Sequence, residues 1–208
     1  NTIIVVPGAN GKVDRAYIDS IKSELEKFDM VVLQHEIPLE TVHYVIEFCY
    51  EKGIKIVLNP APAAAVPMEI IDKVTYVTPN EHEAVLIFGD ELSTEDLLRK
   101  YPEKLVITQG SRGVSTCLKD GQILNVPARK AQVVDTTGAG DTLNGAFSVQ
   151  IAEGKAIEDA LAYANVAASL STEKFGAQTG MPTAEEVETA LKILNGESVE
   201  KEIPVEME

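Results

Sequence analysis

Residues Val133–Gly145 read V-V-D-T-T-G-A-G-D-T-L-N-G. A β-branched run gives way to a glycine-rich turn, which opens a long helix of small residues. The start of a helix carries unpaired N–H groups and a partial positive charge, so it attracts anions. Gly138 and Gly140 leave out the side chains that would keep a ligand away from the backbone. Asp141 sets a carboxylate beside that anion position. Such a like-charge contact is costly unless the acid has a task, such as taking the proton of an attacking hydroxyl. Two familiar phosphate loops do not fit. G-x-G-x-x-G fails at its third glycine, because Asp141, Thr142 and Leu143 follow Gly140. The G-x-x-x-x-G spacing from Gly140 to Gly145 is followed by Ala146 and Phe147, where a P-loop needs Lys and then Ser or Thr. The alternative is an ordinary strand-to-helix turn, with Asp141 as a solvated residue at the helix start.

The segment D-T-T-G-A-G-D-T-L-N-G resembles the second signature of the ribokinase (PfkB) family of carbohydrate kinases, with Leu143 where that family usually has Phe. Asn80-Glu81-His82-Glu83 is similar to the family's N-x-x-E motif. The resemblance implies that Asn80 and Glu83 act in the magnesium and phosphate region. Mg²⁺ suits this, because it keeps several waters and uses few protein carboxylates. The same residues also read as a helix start, with Asn80 as N-cap and Glu83 as its capping-box partner. Thr108–Gly113, T-Q-G-S-R-G, resembles the family's T-x-G-x-x-G turn. That likeness would lay Thr108, Gly110, Ser111 and Gly113 along the nucleotide; a plain tight turn is the alternative. Asn165 matches a position near adenine, and equally suits an exposed helix residue. For family members that use a monovalent cation, the matching positions are Asp135, Thr137, Ser171, Lys174, Gly176 and Gly180, partly through backbone carbonyls. Gly180 stands where some members have Ser. Glu36 matches a sugar-contacting acid, and Asn59-Pro60-Ala61-Pro62-Ala63 resembles an N-P-A-P segment.

Together these likenesses imply transfer of the ATP γ-phosphoryl group to a sugar hydroxyl, with D-ribose 5-phosphate as the expected product. Asp141 would accept the proton, and the amides around Gly138, Ala139 and Gly140 would stabilise the transferring group. ATP, Mg²⁺ and K⁺ are the implied cofactors. The likeness covers essentially the whole chain, but only the later portion of the family's sequence: no G-G dipeptide and no G-G-K-G-x-N-type sugar motif is present. The alternatives are a truncated nucleotide-binding fragment without sugar kinase activity, or another sugar or nucleoside kinase of the family.

The elements that must position these residues follow from periodicity. Thr2–Val6, Met30–Leu33, Ile54–Leu58, Val74–Val77 and Leu105–Thr108 read as short apolar strands. Helices are expected over Arg15–Phe28 behind Asp14, from Pro38 to Glu51, and over Pro67–Asp72, Asn80–Phe88 and Thr94–Arg99. Gly113–Leu118 and Gln122–Val126 form a hairpin around Asp120-Gly121. Helices follow at Gly140–Glu153, Ile157–Lys174 and Ala184–Leu194. This alternation predicts an α/β, Rossmann-like three-layer αβα fold, its sheet mostly parallel with an antiparallel hairpin toward one side. Ligands of such sheets bind beyond the carboxyl ends of the strands, where Glu36, Asn59, Asn80, Thr108 and the glycine turn all fall.

With 208 residues the chain suits one domain, here residues 1–195, followed by an acidic tail at 196–208 expected to be mobile. The net charge of −15 argues against nucleic acid or an anionic membrane as partner. Cys49 and Cys117 sit in apolar patterns and fit no metal spacing, so reduced thiols in the cytoplasm are expected. The chain opens directly in a strand pattern without an initiator Met, as a fragment or processed product would. Loss of neighbouring strands would expose a sheet edge, so self-association or a complementing N-terminal fragment is expected.

Overall fold

The computed structural model describes residues 5–197. Helix α1 (Arg15–Leu25) starts where the Asp14 carboxylate accepts the Tyr17 amide at 2.8 Å. It ends before the expected Phe28, which lies in the following turn with 60% of its surface exposed. Helix α2 (Leu39–Lys52) follows Pro38 and stops at Gly53, whose φ of +69° is the left-handed conformation that favours glycine. Its expected stripe, Val42, Val45, Ile46 and Cys49, is buried throughout.

Strands β1 (Met30–Leu33), β2 (Lys55–Leu58) and β3 (Tyr76–Val77) pair in parallel in that order, with α3 (Met68–Lys73) between β2 and β3. Helices α4 (Glu81–Phe88) and α5 (Thr94–Lys100) lead to β4 (Val106–Thr108). β4, β5 (Val114–Cys117) and β6 (Ile123–Val126) form an antiparallel sheet, the expected hairpin included. Parallel bridges Val77↔Leu105 and Asn80↔Thr108 join the two sheets edge to edge. Helices α6 (Ala139–Ala152), α7 (Ile157–Ser171) and α8 (Ala184–Leu194) complete the described chain.

Successive strand residues point to opposite faces, and this alternation builds two cores. Ile56, Leu58, Leu105 and Ile107 join α1–α5 in one cluster; Val57, Val106 and Val114 join α6 and α7 in the other. Phe147 of α6 is fully buried in the second core and meets Tyr76 edge to face at 5.1 Å. Its burial contributes roughly 1.5–3 kcal/mol. The result is the expected three-layer arrangement.

Three expectations on individual segments change. Thr2–Ile4 of the expected first strand lie outside the described residues, and Val5-Val6 adopt no strand. The expected strand at Val74–Val77 shrinks to Tyr76–Val77. The helix expected to reach Lys174 stops at Ser171. The β-branched pair Val133 and Val134 is 62% and 61% exposed and outside any strand. Of the expected tail, 198–208 lie outside the described residues.

Candidate functional site

The glycine turn leaves backbone donors open at a helix start. Gly138 is the N-cap of α6 with φ +81°, and lacks a side chain to cap the helix. The Ala139 amide turns to the Thr136 carbonyl at 3.3 Å. Among the described residues the amides of Gly140 and Asp141 have no acceptor, so two donors at the positive end of a 14-residue helix are available. A Cβ on Gly140 would meet nothing within 4 Å, so the backbone there is open to a ligand. Asp141 stands exposed in the first helical turn, and its side chain makes no hydrogen bond among the described residues.

A cavity of 720 Å³ opens beside this turn. Thr108, Gly110, Ser111, Gly113 and Asn165 line it together with Ala139 and Gly140. Thus the segment after β4, the start of α6 and the middle of α7 meet around one space. The cavity wall is mostly apolar, which suits a flat ring system, while the amides sit at one end. Asn165 is buried, and its Nδ2 donates to the carbonyls of Pro127 at 2.7 Å and Val126 at 3.3 Å. Neither of its sequence readings named that role: it ties α7 to the exit of β6.

The sequence reading missed Arg129 and Lys130, which line the same cavity. The Arg129 guanidinium pairs with Glu173 at 2.9 Å, and the same Glu173 oxygen accepts the Gln132 amide at 3.2 Å. Two adjacent cations after a strand, in so acidic a chain, were the available signal.

Asn80 and Glu83 form the capping box of α4. The Asn80 side chain accepts the Glu83 amide at 2.9 Å, and Glu83 Oε2 accepts the Asn80 amide at 2.8 Å. Glu83 is buried, which pushes its carboxyl above the usual range, while the Asn80 N–H pulls the other way. Neither residue lines the cavity, although Asn80 is bridged to Thr108, which does. Glu81 of the same turn pairs with Arg112.

Behind the glycine turn, the segment 172–183 folds against residues 134–138. The Val134 and Asp135 amides donate to the Thr172 carbonyl at 2.8 and 3.1 Å. Asp135 accepts from the Thr137 amide at 2.9 Å and the Gly176 amide at 3.0 Å, and the Thr137 and Gly176 donors hold its carboxyl below the usual range. A Cβ on Gly180 would lie 2.7 Å from the carbonyl oxygens of both Ser171 and Gly176, and 3.4 Å from that of Lys174. Three carbonyls therefore pack against Gly180, two of them too closely to admit a side chain. Ala177 of this segment touches Gly138, 3.1 Å from where its Cβ would be. Lys174 is braced by Glu186 at 2.9 Å, and Glu186 closes a capping box with Thr183 at the start of α8.

Glu36 is exposed and lies outside the cavity. Its neighbour His35 is 7% exposed; the amide donates to Ala61 O at 2.8 Å and Nδ1 lies 3.2 Å from Pro62 O. This joins the Glu36 loop to the Asn59–Ala63 segment. Among the described residues His35 Nε2 has no partner, so protonation would bury an unsatisfied donor. Burial above all, and His43 in addition, lower the His35 pKa, against the Pro62 carbonyl. A depressed pKa gives stability that is complete above the unfolded value near 6.5 and lost as pH falls through the lower folded value. Thermal melts between pH 7 and pH 5 are therefore expected to drop more steeply for the native chain than for His35→Gln. Parallel slopes would show that His35 titrates without consequence.

Among the described residues there is no cluster of three or more His, Cys, Asp or Glu able to hold a metal ion, and no helix long and apolar enough to cross a membrane.

The sequence matches the pattern of pfkB family carbohydrate kinases over residues 1–184. It is 51% identical over 191 residues to a ribokinase of Bacillus subtilis and 47% identical over 195 residues to one of Lactococcus lactis. Those alignments cover 92% and 93% of this chain and 64% of each relative, so the chain spans just under two thirds of their length. Among solved structures, a Thermotoga maritima ribokinase superposes with a TM-score of 0.81 at 36% identity. An Arabidopsis thaliana ribokinase complexed with ribose and ATP superposes with a TM-score of 0.78 at 29% identity. Each covers 92% of this chain and 65% of the other.

Proposed function

Because the chain belongs to the pfkB family of carbohydrate kinases, we propose that it serves the transfer of the ATP γ-phosphoryl group to a sugar hydroxyl, with the 5-hydroxyl of D-ribose as acceptor. One observation carries this: two amides without an acceptor among the described residues and an exposed carboxylate share the first turn of α6, beside a cavity of 720 Å³. In the mechanism we infer, the sugar oxygen attacks the γ-phosphorus, the bond to the ADP oxygen breaks, and the hydroxyl proton passes to Asp141. The Gly140 and Asp141 amides stabilise charge on the equatorial oxygens, as an oxyanion hole does. The base sits among Ala128, Ala131 and Leu143, and Thr108, Gly110, Ser111 and Gly113 flank the rest of the nucleotide. Glu36 and the Asn59–Ala63 segment bind the sugar.

Mg²⁺ bound with the nucleotide would neutralise phosphate charge. Glu83 and Asn80 are the residues proposed to help hold it, consistent with an ion that asks for few protein carboxylates. A monovalent cation is placed, in this proposal, at the carbonyls that close on Gly180. The carbonyls of Ser171, Lys174 and Gly176 would hold it, with Asp135 nearby, and Ala177 carries the order of that segment to Gly138. We place the protein in the cytoplasm, where its two buried free thiols stay reduced.

A coupled assay of ADP release with D-ribose tests the activity, and a panel of other sugars and nucleosides tests the acceptor. Ribose-dependent turnover supports the proposal; ADP binding without turnover on any acceptor would leave a nucleotide-binding unit only. Gly180→Ala should abolish any rate increase that KCl gives over tetramethylammonium chloride at equal ionic strength. Retained K⁺ activation would remove that cation site from the scheme.

A further inference from the structure

The start of α6 has no side-chain cap, yet the proposed chemistry needs its first turn fixed to within a fraction of an ångström. A buried polar pair supplies an anchor. Asn144, 2% exposed, donates from Nδ2 to the Gly140 carbonyl at 2.9 Å. Its Oδ1 accepts the Thr78 hydroxyl at 2.5 Å, across 66 residues of sequence. Thr78 is fully buried at the end of β3, its amide donating to Leu58 O of β2 at 2.9 Å. Its carbonyl accepts Nδ2 of Asn59 at 2.9 Å. A hydrogen-bonded line therefore runs from the end of β2 through Thr78 and Asn144 to Gly140, the residue before Asp141.

Leu143 and Phe147 are buried beside the pair on α6, and the buried Ser148 hydroxyl donates to the Asn144 carbonyl at 2.7 Å. Apolar groups of the same shape would fill that space without any need for matched donors. What the polar pair adds is register: a hydroxyl and an amide accept one geometry where methyl groups accept several.

We propose that Thr78 and Asn144 are positioning residues of the phosphoryl-transfer turn, holding Gly140 and Asp141 in fixed relation to the carboxyl ends of β2 and β3. This rests on the kinase reading for its catalytic consequence, but not for its structural one.

Thr78→Val keeps the shape and removes the hydroxyl; Thr78→Ser keeps the hydroxyl. For Thr78→Val, kcat with ribose is expected to fall about tenfold with the ATP KM within about twofold, and Thr78→Ser should recover most of the loss. Amide hydrogen exchange at Thr142–Asn144 should quicken about tenfold, with the α7 amides unchanged. A purely structural role would lower the melting temperature, speed exchange evenly and leave kcat per folded molecule intact; that pattern, or unchanged exchange, overturns the proposal. If Thr78→Val does not fold, Asn144→Ala carries the same measurements, and failure of both to fold means the pair merely builds the core and the proposal falls. If the parent chain shows no sugar-dependent ADP release, the kinase reading fails, and the exchange pattern alone decides whether the pair fixes the turn.

Discussion

Asp141→Asn is expected to lower ribose-dependent turnover by about 10²–10⁴-fold, the usual contribution of a positioned general base. The replacement is nearly isosteric, and the Asp141 side chain is exposed and makes no hydrogen bond among the described residues. Its structural cost is therefore confined to a weaker interaction with the helix start, under about 1 kcal/mol. Nucleotide binding should not weaken and should tighten modestly, because a carboxylate no longer faces the phosphate charge. The informative result is this split: lost kcat, preserved fold, preserved or improved ATP affinity by calorimetry. A variant that keeps more than a tenth of the native rate would take the proton-acceptor role away from Asp141.

Gly113→Ala is expected to destabilise the chain by about 3–5 kcal/mol, from backbone strain together with overpacking. Gly113 has φ +97°, a conformation that L side chains rarely adopt, and its Cβ would lie 2.0 Å from Val126 O and 2.7 Å from Ala128 N. Both atoms are backbone at the exit of β6, so they yield only by moving that strand end. The same movement would shift Ala128–Lys130, one wall of the cavity, so nucleotide affinity should fall in whatever fraction remains folded. Gly145→Ala is the control. Its Cβ would meet nothing within 4 Å in mid-helix, and a gain of about 0.5–1 kcal/mol is expected. Urea denaturation midpoints of the two variants should move in opposite directions; a Gly113→Ala chain of native stability would mean the β6 exit is far softer than its packing indicates.

Much of this architecture was legible from residue pattern because its signals are local. Asp14, Asn80, Ser93 and Thr183 each cap a helix within three residues of themselves, so the helix starts could be read directly. The glycine turn was legible for the same reason. Asn80 and Glu83 were ambiguous in sequence because the spacing that closes a capping box is also the spacing of N-x-x-E; the structure shows the box formed. The Thr78–Asn144 pair, the Arg129–Glu173 brace and the three carbonyls around Gly180 depend on residues far apart in sequence or on backbone atoms. Residue types do not advertise such contacts. The role of Asn165 was invisible for a related reason: its partners are main-chain carbonyls of Val126 and Pro127.

The junction between β3 and β4 is held by isolated bridges rather than a ladder. Pro79 has no N–H to offer there, and the Thr78 amide is already turned toward β2. The two sheets are thus stitched most loosely at the line along which Asn80 and Thr108 face each other, next to the cavity. A ligand seated in that cavity would add contacts across this line, and its occupancy would add to the stability of the folded chain.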